Sequence, residues 1–83
     1  MAIENVHAVR RRLTASLHRP FLDTMVARHM PQAVALDALL LADGNEQAVL
    51  DALDFLGVWG NVLVGTVDCT RLLNHLRRGG RQL

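Results

Sequence analysis

The segment from residue 33 to residue 42 restricts the possible folds more than any other part of the chain. It reads AVALDALLLA, in which Asp37 is the only charged residue. A helix through this segment has apolar side chains in almost every direction around its axis, and such a helix is stable only when other elements cover it on several sides. We therefore predict a central helix over residues 32–42, with other helices packed around it.

Two prolines divide the part of the chain before this helix. Proline is tolerated in the first turn of a helix but not in its interior, so Pro20 and Pro31 each predict the end of one helix and the start of the next. Before Pro20, apolar residues recur at intervals of three and four, which predicts a helix over residues 3–17. Its buried stripe would consist of Ile3, Val6, Val9 or Arg10, Leu13 and Leu17. The apolar face of the second helix would consist of Phe21, Leu22, Met25, Val26 and His29.

The part after the central helix also predicts helices. Gly44 suits the end of one helix and Asn45 the cap of the next, which we expect over residues 46–58 with a polar strip formed by Gln47, Asp51 and Asp54. The glycine-rich stretch that follows predicts a short helix near residues 62–64. Asp68 is expected to cap a last helix over residues 69–78, whose buried edge is formed by Cys69, Leu72, Leu73 and Leu76.

Together these elements predict an all-α fold, a compact antiparallel bundle of five to six short helices. At 83 residues the chain has room for one domain, which we place at residues 1–79, with a frayed end at 80–83. The most buried side chains should include Leu36, Leu39, Leu40, Leu53 and Leu56. Apolar residues make up 51% of the chain, more than so small a body easily hides, so some apolar surface should be left for a partner.

Charge is segregated along the chain. Residues 1–31 hold five arginines and two acids, residues 32–68 hold six acids and no lysine or arginine, and residues 69–83 hold four arginines and no acid. The net charge is only +1, so the chain as a whole has no strong attraction to nucleic acid or to an anionic membrane. A helix-turn-helix is disfavoured as well, because its second helix would expose Asp51 and Asp54 to phosphate.

The residues that carry chemistry do not form a recognisable site. His7, His18 and His29 are spaced by eleven, but Pro20 interrupts the helix that would align them, and no carboxylate or cysteine stands at matching spacing. Cys69 and the histidine six residues later lie on nearly opposite sides of a helix, so they cannot form a nucleophilic pair. We expect no enzymatic activity, no metal or cofactor and no small-molecule substrate.

The sequence also indicates a compartment. A single cysteine allows no internal disulfide, which is typical of a reducing interior. The chain has no recognisable secretion signal, and its longest apolar run, residues 38–42, is too short to cross a bilayer. A cytoplasmic protein without a membrane partner is the expectation.

The runs VRRRLTASLHRPFLDTMVARHM and LDALLLADGNEQAVLDALDFLGVWG resemble the caspase recruitment domain of the death-fold superfamily. The resemblance covers residues 3–60. It includes arginines before a leucine in the first helix, a leucine–aspartate pair in the second, and another such pair before a glycine turn in the fourth. The matching positions are Leu13, Leu17, Leu22, Asp23, Met25, Leu50, Asp51, Leu53, Leu56 and Gly57.

This resemblance implies an adaptor or recruitment module in cell-death or immune-defence signalling, which binds copies of itself or a related domain through opposite charges. The basic patch would consist of Arg10, Arg11, Arg12 and Arg19, and the acidic patch of Asp37, Asp43 and Glu46. Alternatively, the arginines neutralise the acids within one monomer or are merely solvated. A second function class is also open, a small helical chaperone or regulatory protein that shields an apolar partner helix.

Overall fold

The computed structural model describes residues 5–57 and 66–79, and the secondary structure within these ranges is entirely helical. The five helices are α1 (Val6–Leu17), α2 (Arg19–Ala27), α3 (Gln32–Leu41), α4 (Glu46–Phe55) and α5 (Thr66–Arg77). The prediction of a compact all-α fold built from short helices is confirmed. The short helix predicted near residues 62–64 and the frayed end at 80–83 lie outside the described residues.

The helices begin at residues that satisfy their free N–H groups. The side-chain oxygen of Asn5 accepts a hydrogen bond from the backbone N–H of His7 at 2.7 Å, and that of Asn45 accepts one from Ala48 at 3.1 Å. Such N-caps replace the partners that the first turn of a helix lacks. Pro20 stands in the first turn of α2, as predicted.

A tight turn ends α3. The backbone N–H of Gly44 donates to the carbonyl of Leu39 at 2.8 Å, and Gly44 has a φ of +80°. Glycine adopts this left-handed conformation without steric cost, which is why it so often follows the end of a helix. The predicted end of α3 is confirmed, and the chain turns directly into α4.

The core is built around α3, which packs against each of the other four helices. Ala35, Ala38 and Leu39 are fully buried, and the two alanines let neighbouring helices approach closely. The largest fully buried side chains are Leu22, Met25, Met30, Leu39, Val49, Leu53 and Leu72. The central position predicted for α3 is therefore confirmed.

Two of the five leucines expected to be most buried are only partly buried. Leu36, Leu39 and Leu53 lie in the core, whereas Leu40 and Leu56 are packed against its edge. Leu40 occupies the last turn of α3, and Leu56 follows the last residue of α4, so both stand where fewer helices surround them.

Several helix limits and faces differ from the prediction. α4 ends at Phe55 instead of residue 58, before Gly57 adopts a φ of +71°. α5 begins at Thr66, so Asp68 lies in its first turn and is not its cap. On α2, Val26 is half exposed, and His29 lies beyond the end of the helix, where its φ of +71° turns the chain away.

Candidate functional site

Helix α1 turns its apolar side to the solvent. The exposed fraction is 78% for Val6, 58% for Leu13 and 77% for Leu17, and none of the α1 residues is buried. These three residues, which we call the apolar face of α1, share one side of the helix because they are separated by seven and four positions. The prediction that this stripe is buried is wrong for these three residues, whereas Val9 is partly buried. Ile3 lies outside the described residues.

The opposite side of α1 faces the rest of the protein. Arg11, Thr14, Ala15 and His18 are partly buried, and they too recur at intervals of three and four. The helix therefore has two sides with helical spacing, one apolar and one largely polar. The polar side is the one that packs on α3 and α2.

Opposite charges join α1 to α3. The Nη2 atom of Arg10 lies 3.0 Å from Oδ1 of Asp43 and 3.4 Å from the carbonyl oxygen of Leu40. One turn nearer the centre of α3, the guanidinium of Arg11 donates to the carboxylate of Asp37. The pair of Arg11 and Asp37 is partly buried, with 39% and 43% of the two side chains exposed.

These pairs explain why α1 presents its polar side. Asp37 is the single charge on α3, whose other residues are apolar except for Gln32, and covering part of a carboxylate without giving it a partner is unfavourable. An arginine directly opposite satisfies it and forms a charge-assisted hydrogen bond. Turning the leucines inward would remove Arg11 from this position and leave Asp37 against apolar side chains.

A third polar contact holds the link between the first two helices. His18 separates α1 from α2, and its Nδ1 atom lies 2.6 Å from Oε2 of Glu46, the first residue of α4. The imidazole is mostly buried, with 20% of the side chain exposed. This contact ties the end of α1 to the start of α4.

The two predicted charge patches thus meet within one molecule. Arg10 and Arg11 contact Asp43 and Asp37, which is the arrangement expected if the arginines neutralise acids of the same chain. Glu46 contacts His18. The remaining two predicted residues, Arg12 and Arg19, line a cleft of about 410 Å³ together with Ala15, Ser16, Leu22, Asp23 and Gln32. The prediction that the basic and acidic patches dock on another molecule is not tested by these contacts and stays a prediction.

Besides Val26, sequence reasoning missed two exposed apolar features. One is the apolar face of α1, and the other is Phe55, which is 54% exposed at the end of α4. The ring of Phe55 stacks on that of His75, with 4.9 Å between the ring centroids, so one side of it is covered. The signal for α1 was present in the helical spacing of Arg11, Thr14, Ala15 and His18 and in the acids that could pair with them.

The groups that could carry chemistry are dispersed. Among the residues that the structure describes, no three His, Cys, Asp or Glu side chains are placed to hold a metal ion. Cys69 is buried on α5. Burial and, to a smaller extent, the neighbouring Asp68 carboxylate raise the pKa of its thiol, which leaves less of the reactive thiolate near neutral pH than an exposed cysteine has.

Within the described ranges, no helix has the length and apolar character needed to span a bilayer. Comparison with protein-family models, with curated proteins and with solved structures finds no match for this chain. The resemblance to the caspase recruitment domain therefore stays a prediction.

Proposed function

We propose that this protein is a non-enzymatic protein–protein interaction module that binds further copies of itself through the apolar face of α1. One observation carries the proposal: a whole helix buries none of its residues and exposes three large apolar side chains on one side. Single exposed leucines are ordinary on protein surfaces. A contiguous apolar patch is different, since it commonly marks a place where another molecule binds.

The charged residues have an indirect part in this proposal. Arg10 and Arg11 hold α1 against α3 and thereby keep the leucines pointing outward. An exposed ion pair contributes only about 0.2–1 kcal/mol, so the two pairs and the His18 contact act together to fix the orientation of the helix. The arginines are then anchors within the monomer, and the apolar face is the docking surface.

Homotypic binding is also the property that the caspase recruitment domain resemblance implies. The adaptor role in cell-death or immune-defence signalling is part of this proposal, and it rests on the resemblance. Binding between copies is the part that can be measured on the isolated protein.

A chaperone or regulatory protein is the second candidate. The apolar face of α1 would suit an apolar partner helix as well as another copy, and this observation favours that candidate equally. The two differ in solution behaviour: a self-associating module gains mass as its concentration rises, whereas a chaperone without its client stays monomeric.

The test is sedimentation velocity over a wide concentration range at low and high salt. The parent should gain mass with concentration, while a variant with Leu13→Gln and Leu17→Gln should stay monomeric with an unchanged circular dichroism spectrum. Glutamine keeps the helix propensity of leucine but removes its apolar side chain. Val26→Ser is the matched control, because it removes an exposed apolar residue from α2, and it should associate like the parent.

Two results would contradict the proposal. A parent that remains monomeric at every concentration does not self-associate, and the chaperone candidate then becomes the better one. A glutamine variant that associates like the parent shows that binding uses another surface.

A further inference from the structure

We infer that the cleft between α1, α2 and the start of α3 is a binding site for a small zwitterion, a molecule that carries both a carboxylate and an ammonium group. The carboxylate would bind Arg19 and the ammonium group would bind Asp23, two residues of α2 that both line the cleft. The inference goes beyond the proposed function and does not depend on it, because the ligand is bound and not converted.

The cleft has the size and the lining of a small-molecule site. Its volume of about 410 Å³ falls within the range of about 300–1,000 Å³ that is typical of such sites. Leu22, which is 2% exposed, and Ala15, which is partly buried, supply apolar surface. Ser16 and Gln32 add a hydroxyl group and an amide. A short aliphatic chain with polar ends matches this lining.

The two charges on α2 are opposite in sign and are not joined to each other. Arg19 and Asp23 are four residues apart on one helix, a spacing at which opposite charges are neighbours. On α5, by contrast, Arg71 lies 3.4 Å from Asp68, three residues earlier. Among the described residues, neither the Arg19 nor the Asp23 side chain has a hydrogen-bond or ion-pair partner. A ligand can therefore bind both charges without breaking an existing contact.

The acid at the cleft determines the class of ligand. A simple anion would be attracted by Arg19 but repelled by Asp23, and a simple cation would meet the reverse. A ligand with both charges turns each repulsion into an attraction. The carboxylate suits an arginine well, since a guanidinium binds it through two parallel hydrogen bonds.

A ligand in this cleft would contact three helices. Ser16 belongs to α1, Asp23 to α2, and Gln32 is the first residue of α3. Because α1 buries none of its residues, a ligand that joins it to α2 and α3 would strengthen its attachment. A ligand that binds only the closed arrangement slows local opening as it saturates the site.

The test is a titration of the isotope-labelled protein at constant pH and ionic strength, followed by its amide shifts in two-dimensional NMR spectra. The probe is 4-aminobutanoate, and butanoate and butylamine are matched controls with the same carbon chain and one charge each. The zwitterion should shift the amides of Ser16, Arg19 and Asp23 with a dissociation constant of roughly 1–30 mM, as expected for so small a molecule. Each control should bind at least about threefold more weakly, because it lacks one ion pair.

A second set of probes covers a longer separation between the charges. It consists of 6-aminohexanoate with hexanoate and hexylamine, and the same preference for the zwitterion is expected from whichever length fits the cleft better. With the better zwitterion bound, hydrogen exchange in α1 should become slower, because the ligand joins α1 to its neighbours.

Substitutions test the part of each charge. Arg19→Gln should weaken binding of the zwitterion at least about threefold, and Asp23→Asn should make it bind no better than the matching carboxylate. Exchanging the charges, with Arg19→Asp and Asp23→Arg together, should restore the preference for the zwitterion. Asp54→Asn, at an exposed acid of α4 outside the cleft, is the control and should bind like the parent. The NMR spectrum of each variant shows that it is folded, and if the exchanged variant does not fold, the two single variants decide.

The outcomes separate this inference from the proposed function. No saturable shift at the cleft with either zwitterion overturns the inference. Equal binding of the zwitterion and the matching carboxylate shows a simple anion site and overturns it as well. Both results leave the proposed function standing, since that function is tested by self-association without ligand. A preference for the zwitterion that each single substitution removes supports the inference.

Discussion

α3 and α1 are held in the protein in opposite ways. α3 buries Ala35, Leu36, Ala38 and Leu39 and is surrounded by the other helices, whereas α1 buries no residue and is attached through charged and polar side chains. Both helices have apolar residues at helical spacing. The difference shows that an apolar side on a helix tends to be buried against something. The pattern itself does not say whether that is the same chain or another molecule.

The two modes of attachment differ in strength. Burying one large apolar side chain contributes about 1.5–3 kcal/mol, and α3 has such contacts along its length. An exposed ion pair contributes about 0.2–1 kcal/mol. We therefore expect α3 to unfold only with the whole domain, and α1 to separate from it at lower cost.

The largest effect should come from the core. Leu39→Ala removes a fully buried side chain from α3 and should lower the free energy of unfolding by about 2–5 kcal/mol. Urea denaturation followed by circular dichroism measures this change. A Leu39 variant as stable as the parent would contradict the central place of α3.

Hydrogen exchange should reveal the difference between the helices without any substitution. In dilute solution, the amides of α1 should exchange at least about tenfold faster than those of α3, because α1 opens locally. Added salt should speed exchange in α1 more than in α3, since it screens the exposed pairs. Equal protection in both helices would show that α1 belongs to the same cooperative unit as the core.

A double-mutant cycle on Arg11 and Asp37 should give a smaller effect. With Arg11→Met and Asp37→Asn, the coupling free energy should be about 0.2–1 kcal/mol, because both side chains are partly exposed. The pair of Arg71 and Asp68 within α5 is the matched control. Removing the Arg11 pair should speed exchange in α1, whereas removing the Arg71 pair should not.

The smallest effect on stability should follow Leu13→Gln. Leu13 and Leu39 are the same residue type, but Leu13 is 58% exposed, so its replacement should change the free energy of unfolding by no more than about 0.5 kcal/mol. Denaturation below the concentration of self-association measures it. A cost similar to that of Leu39→Ala would mean that the apolar face of α1 is covered within the monomer.

The sequence was sufficient to place α3 but not to orient α1. A helix that is apolar in nearly every direction is central whichever way it is turned, so no contact had to be known. α1 has helical spacing on both sides, and the choice between them depends on Asp37 and Asp43, which are 26 and 33 residues away from their arginines. Such long-range pairing is not contained in the local pattern.

The candidate site, like the orientation of α1, could be predicted only in part. Opposite charges identified the arginines and acids that attract each other, but charge alone does not specify whether the partners belong to one molecule or two. Phe55 lies outside the polar strip predicted for α4, so the sequence pattern assigns it to the apolar side of that helix. It is half exposed because it is the last residue of α4, where only one side of its ring is covered, by His75.

His18 has one more consequence, which concerns the length of the chain. Its backbone N–H bonds to Thr14 of α1 and its carbonyl accepts from Leu22 of α2, so no spare residue lies between the helices to absorb a change in length. One residue inserted between Arg11 and Leu13 would rotate the earlier part of α1 by about 100° relative to the rest of the helix. Arg11 would leave Asp37, and Val6 would turn away from the leucines. Insertions and deletions in this short segment should therefore be tolerated far less well than substitutions.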